Sequence, residues 1–163
     1  MSTWSGIRQK LEQDLLAPCL RGHIQYYAVS YSKCPDHEGR ASMRFDGKEI
    51  LKCGYYEMSK RFWSKYKMLC NDMSDKKAYE EAGYSVLNDG YFDQRDFYVA
   101  FEEFDNQSIS DSLFSRNSLV RMMAILDRRV GKRTLVKLAE RFGNEPLWLR
   151  QFYYIRMDAE GLV

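Results

Sequence analysis

The sequence predicts an α+β protein with an N-terminal helix, a three-stranded antiparallel meander and then a helical bundle of about five helices. The hydrophobic period changes from two residues to 3.6 after Gly54, so strands precede a run of helices. The composition, 45% hydrophobic and 29% charged, can form a buried core and excludes disordered and low-complexity classes. The 163 residues fit one compact domain, with a helix and sheet in 1–54 and a helical region in 55–163.

An apolar repeat at three- and four-residue steps predicts the first helix. Ser2 or Thr3 can cap it, because their hydroxyl oxygens accept bonds from unpaired backbone N–H groups. Pro18 and then Gly22 end it. The repeat consists of Trp4, Ile7, Leu11 and Leu15.

Three segments predict the strands, over residues 23–32, 40–45 and 48–53. Asp46-Gly47 separates the second strand from the third and is the two-residue signal of a type I′ hairpin turn, in which both positions have positive φ. Together these features predict an antiparallel meander.

Helical periods continue from residue 55 to the C-terminal region. Three helices are predicted before residue 105, with Ser74 capping the second and Asp93 capping the third. Residues 105–117 are a polar connector with about one helical turn. Further helices are predicted from Ser118 to Gly131, from there to Gly143, and from Asn144 onward, with Pro146 two positions later.

The sequence contains no motif of an enzyme active site, and we expect a non-enzymatic protein without catalytic residues or a cofactor. Asp46, Glu49 and Lys52 resemble the carboxylates and lysine of a metal-dependent nuclease. The odd spacing of Glu49 and Lys52 on a strand places them on opposite faces, so no metal site is expected.

The four cysteines are predicted to be free, because the chain shows no signal of export. Cys34 and His37 offer only two of the four ligands that structural zinc requires, and we interpret them as turn residues. The sequence has no run of about 18 apolar residues, so we expect a cytoplasmic protein without a membrane partner.

Charge is segregated along the chain although the net charge is only +2. Residues 1–72 carry twelve cations against eight acids, residues 73–115 three against ten, and residues 116–163 ten against five. Such asymmetry indicates either surfaces for charged partners or segments that neutralise one another.

Two clusters are the candidate binding residues. The acidic set lies among aromatic residues and can imitate a nucleic-acid backbone in the basic groove of a partner protein. The alternative is an amphipathic helix pair in which the acids are solvated and the aromatic residues belong to the core. The basic corner can contact nucleic acid or acids of the same protein. The acidic set is Asp89, Asp93, Asp96, Glu102, Glu103 and Asp105, and the basic corner is Arg128, Arg129, Lys132 and Arg133.

The stretches LLAPCLRGHIQYYAVSY, HEGRA, FDGKEILK and SLVRMMAILDRRVGKRTL, with the ending PLWLRQFYYIRMDAEG, carry a resemblance to known proteins. They resemble a family of small proteins from gut-dwelling Gram-positive bacteria, some of which look like anti-CRISPR inhibitors. The resemblance implies an inhibitor that binds a type II CRISPR effector nuclease or another nucleic-acid-handling protein, and guide RNA or DNA is a further candidate partner. Two alternatives stay open, namely a nucleic-acid-binding accessory protein acting through its basic ends and a metal-dependent enzyme.

Overall fold

The computed structural model of the chain describes residues 2–33 and 38–163. It shows the predicted order of an N-terminal helix, a three-stranded antiparallel sheet and a helical region. The predicted turn at Cys34 and His37 lies outside the described residues. The other three cysteines, Cys19, Cys53 and Cys70, are free thiols within the described part of the chain.

The first helix is capped by Thr3, whose hydroxyl accepts the N–H of Gly6. Helix α1 (Trp4–Gln9) continues into a wider π-helical segment (Lys10–Asp14), so the predicted helix changes its period midway. A 3-10 turn (Pro18–Leu20) then leads to the sheet.

Strands β1 (Ile24–Ser30), β2 (Gly39–Phe45) and β3 (Lys48–Gly54) form the predicted meander in the order β1-β2-β3. The turn at Asp46 and Gly47 has φ of 50° and 79°, which agrees with the predicted type I′ geometry.

A β-bulge corrects one prediction about this hairpin. Leu51 lies opposite Met43, yet Glu49 lies opposite Arg44, so β3 contains one extra residue. The bulge turns Glu49 toward Lys52, and the carboxylate and ammonium groups are 3.7 Å apart on one face instead of on opposite faces. No cluster of three metal-ligating side chains is found among the described residues.

Helices occupy most of the chain from residue 55 onward. Five of them have nine or more residues, in agreement with the predicted bundle. Ser74 and Asp93 cap their helices as predicted, and a short helix at Ile109–Leu113 is the helical turn predicted in the connector. The helices are α2 (Tyr55–Leu69), α3 (Asp75–Asn88), α4 (Gln94–Asp105), α5 (Ile109–Leu113), α6 (Ser118–Leu126), α7 (Lys132–Lys137), α8 (Ala139–Gly143) and α9 (Leu147–Ala159).

The helix predicted from Ser118 to Gly131 ends earlier than expected, at Leu126. Asp127 is extended and forms a β-bridge with Leu16. The buried guanidinium of Arg156 donates to three carbonyls in this region, which therefore need no further helical turn. The accepting carbonyls belong to Ile125, Asp127 and Val130.

The helix predicted to end at Gly143 is divided into α7 and α8, which meet at Leu138. This residue has ψ near zero, so the backbone leaves the helical path for one residue.

The core lies between the sheet, α1, α4, α6 and α9. All nine residues of α6 are buried, and Tyr26 of the sheet packs against Phe97 of α4 with ring centroids 5.7 Å apart. Helix α2, in contrast, has no buried residue. The α2–α3 hairpin therefore borders the core and leaves one side open toward α4. No helix in the described part of the chain is long and apolar enough to cross a membrane.

Candidate functional site

A cleft opens between the α2–α3 hairpin and α4, with a cavity volume of about 670 Å³. We call it the α2–α4 cleft. Its walls combine aromatic rings, most of them from α2 and α3, with carboxylates from α3 and from the start of α4. The lining includes Tyr55, Phe62, Trp63, Tyr79, Tyr84 and Tyr91, together with Glu80, Asp93, Asp96 and Glu103.

The aromatic wall is a cluster of edge-to-face rings. Phe62 lies 5.0 Å from Trp63 and 4.9 Å from Tyr79 between ring centroids, with interplanar angles of 82° and 75°. This geometry is the favourable one for aromatic pairs and fixes the rings without burying them. Trp63 remains 49% exposed and Tyr79 58% exposed, so both present apolar surface at the cleft.

The base of the cleft is the N-terminus of α4, where Asp93 and Asp96 form a capping box. Asp93 Oδ1 accepts the backbone N–H of Asp96 at 2.9 Å, and Asp96 Oδ2 accepts that of Asp93 at 3.0 Å. This arrangement satisfies two backbone donors reciprocally and holds two carboxylates close together. The predicted cap at Asp93 is confirmed, but the residue is only 2% exposed instead of lying on an open acidic face.

The two carboxylates lie close together and are partly buried, so a negative charge on both is unfavourable. Burial and the neighbouring charge of Asp93 raise the pKa of Asp96 from its ordinary value to about 7. Arg95 lies 3.7 Å from Asp93, but its side chain is 67% exposed and in contact with water, which screens the pair. The cleft therefore holds carboxylates that a further cation would stabilise.

The structure brings together three members of the acidic set and separates the others. Glu103 joins Asp93 and Asp96 at the cleft, where it accepts bonds from the hydroxyl of Ser115 and the amide of Gln107. The remaining three, Asp89, Glu102 and Asp105, do not line the cleft.

Those three acids lie on other surfaces. Asp105 pairs with Lys10 at 2.8 Å, and Glu102 is exposed on α4 without an ion pair to the described residues. Asp89 lies at the end of α3 and borders a second hollow, of about 880 Å³, beside the N-terminus of α9. The second hollow is larger, but its lining contains one carboxylate, against four in the α2–α4 cleft.

Guanidinium groups already stack on rings of the α2–α4 cleft. Arg61 lies 4.8 Å above the ring of Tyr91, and Arg116 lies 4.3 Å above that of Tyr84. Arg116 also pairs with Glu81 at 2.7 Å. The sequence analysis did not predict these arginines or the α2 aromatics as site residues. The apolar repeat of α2 could have indicated the aromatics, but it was interpreted only as a helix pattern.

The basic corner is only partly available to a partner. The guanidinium of Arg129 donates two hydrogen bonds, of 3.0 and 2.8 Å, to the carboxylate of Asp127. Lys132 lies 4.0 Å from Glu160. The side chains of Arg128 and Arg133 are exposed and make no ion pair within the described part of the chain.

A second cationic surface lies on the sheet. Arg8 and Arg44 both contact the ring of Tyr27, with guanidinium carbons 5.6 and 4.3 Å from its centroid. Arg40, four residues before Arg44 on β2, pairs with Glu49 at 2.9 Å, and Arg44 lies 3.8 Å from the same carboxylate. The sheet thus presents cations beside an aromatic ring, which the sequence analysis did not single out.

Comparison with known proteins supplies a family but no solved fold. A model described as the SF0329 protein family matches residues 3–157, which include the sheet, the α2–α4 cleft and the basic corner. No curated protein and no solved structure matches the chain.

Proposed function

This chain belongs to the SF0329 protein family, and we propose that it is a non-enzymatic binding protein that engages a nucleic-acid-handling protein through the α2–α4 cleft. The observation that carries the proposal is the composition of the cleft, in which exposed aromatic rings surround a base of carboxylates. Tyr and Trp are the residue types that most often dominate protein interfaces, because they bury large areas at low entropic cost.

The carboxylates define the kind of partner. Four carboxylates and one arginine line the cleft, so its field attracts positive charge. Proteins that handle nucleic acids expose basic grooves, and acids facing such a groove accelerate encounter and suppress wrong partners. Occupation of the groove would exclude the nucleic acid and so inhibit the partner.

The finer form of the proposal follows the sequence resemblance to anti-CRISPR inhibitors. A type II effector holds its guide and target in positively charged channels and reads a short duplex motif with arginines. An acidic and aromatic cleft is complementary to such a surface. We therefore propose a type II CRISPR effector nuclease as the partner.

A second candidate is a small nucleic-acid-binding accessory protein. The exposed Arg128 and Arg133 favour it, as do Arg44 and Tyr27 on the sheet, because cations beside an aromatic ring suit phosphate contact and base stacking. These groups lie outside the α2–α4 cleft, so the two functions make different predictions.

The experiment that separates them compares two binding partners. We expect the protein to bind a guide-loaded type II effector and to reduce its DNA cleavage, while gel shifts with free DNA and RNA stay weak at physiological salt. Tight, strongly salt-dependent binding to free nucleic acid without binding to the effector would favour the second candidate and contradict the first.

A further inference from the structure

We propose that the α2–α4 cleft receives the side chain of an arginine from the partner protein. This inference rests on the proposed function and deepens it by naming the chemical group that enters the cleft. It depends on the charge of the base, on the rings of the walls and on the way the protein already holds its own arginines.

Among the described residues, the ion-pair partner of Asp93 at the base of the cleft is a largely exposed arginine and not a buried cation. Asp93 is 2% exposed and lies against the second carboxylate of the capping box, Asp96, while the nearby Arg95 is mostly in water. An apolar side chain would desolvate these carboxylates without replacing their water, and an anion would be repelled. A cation can compensate both carboxylates, so charge complementarity selects a basic group.

The aromatic walls of the cleft favour a planar cation. Exposed rings of Trp63 and Tyr79 border the cleft, and a planar guanidinium can stack on a ring while its N–H groups face a carboxylate. A lysine ammonium is more strongly hydrated and presents no flat face, so it fits this combination less well.

At the border of the cleft the protein shows this full arrangement once and its stacked part a second time. Arg116 stacks on Tyr84 and pairs with Glu81, and Arg61 stacks on Tyr91. Both rings line the cleft, so a partner arginine would repeat a contact that these walls already make. At the base formed by Asp93 and Asp96, together with Glu103, the guanidinium of Arg95 lies 3.7 Å from Asp93 but is mostly in water, so this position can still take a desolvated and stacked one.

The test uses a small arginine probe, independent of the effector. N-acetyl-arginine methylamide is titrated into the ¹⁵N-labelled protein, and the indole N–H resonance of Trp63 is followed, with a Trp63→Phe variant for assignment. The neutral isostere N-acetyl-citrulline methylamide and the corresponding lysine amide are the matched ligands. We expect a saturable shift with the arginine amide only.

Two charge-matched variants locate the site. Asp96→Asn/Glu103→Gln removes two carboxylates from the cleft, and Asp89→Asn/Glu102→Gln removes two from outside it. The first variant should bind the arginine amide about tenfold or more weakly, as expected for a lost charge contact. The second variant should bind it with unchanged affinity.

Three results would overturn the inference: no shift up to the solubility limit, an equal response to the citrulline or lysine amide, or equal weakening by both double variants. Loss of effector binding alone does not affect it. If the effector binds but the arginine amide does not, the inference fails and the proposed function stands; if the amide binds and the effector does not, the proposed partner is wrong.

Discussion

Replacement of Asp96 by Asn should stabilise the protein at alkaline pH. The folded state holds Asp96 and Asp93 close together in a desolvated cleft, and this raises the pKa of Asp96 to about 7. An asparagine keeps the shape of the side chain and an oxygen that can accept the N–H of Asp93, but it carries no charge. The substitution therefore removes the repulsion and preserves most of the capping box.

The magnitude follows from the pKa difference between the two states. In the unfolded chain the pKa of Asp96 is about 3.8, so a folded-state value of about 7 is equivalent to about 4 kcal/mol. Between these two pKa values the folded state binds the extra proton, so stability falls as pH rises through this window, and the whole penalty is present above pH 7. Loss of the carboxylate from a helix N-terminus costs about 1–2 kcal/mol. A net gain of about 2 kcal/mol remains.

Urea unfolding at pH 4.5 and pH 8 measures this effect. The Asp96→Asn variant should match the wild type within about 1 kcal/mol at pH 4.5 and exceed it by about 2 kcal/mol at pH 8. Glu102→Gln is the control, because this acid is exposed on the same helix and should show no such pH dependence. An Asp96→Asn variant that is less stable than the wild type at pH 8 would refute the reasoning.

The remaining predictions concern Arg156 of α9, which donates to carbonyls around the end of α6, and the cations between α6 and the start of α7. Arg156→Met should lower the free energy of unfolding by about 3–5 kcal/mol, because three buried carbonyls and Glu160 lose their cation; a loss below about 1 kcal/mol in urea would be inconsistent with this role. If the protein binds DNA or RNA, Arg128→Gln/Arg133→Gln should weaken that binding and flatten its salt dependence, since fewer counterions are released. Gel shifts over a range of salt should show a smaller effect for Arg129→Gln, because Arg129 already pairs with a buried carboxylate; equal effects would argue against this distinction.

Local signals predicted the elements that depend on neighbouring residues. The turn at Asp46-Gly47 and the cap at Asp93 were predicted correctly because each is determined within about three residues. The end of α6 was not predicted correctly, because the group that binds its last carbonyls, Arg156, lies about 30 residues away in the sequence. The bulge beside Glu49 also depends on the pairing of two strands, which strand periodicity alone does not show.

The candidate site was predicted in part. Asp96 and Glu103 are seven residues apart and share a face of α4, whereas Glu102 points elsewhere, so helical spacing could have separated the acidic set. The alternative in which the aromatics of this region are core residues is correct for Phe97, which is fully buried, but Tyr91 lines the cleft. The opposite wall could not be predicted, because it depends on how the α2–α3 hairpin packs against the rest of the fold.

The binding role of the α2–α4 cleft is tested most directly by the rate of association with a guide-loaded type II effector. The wild type is compared with Asp96→Asn/Glu103→Gln and Asp89→Asn/Glu102→Gln, which change the net charge equally. We expect the cleft variant to associate about tenfold or more slowly, because acids facing a basic groove steer encounter, and the outer variant to stay near the wild type. Equal rates for both variants would show that the cleft is not the binding surface.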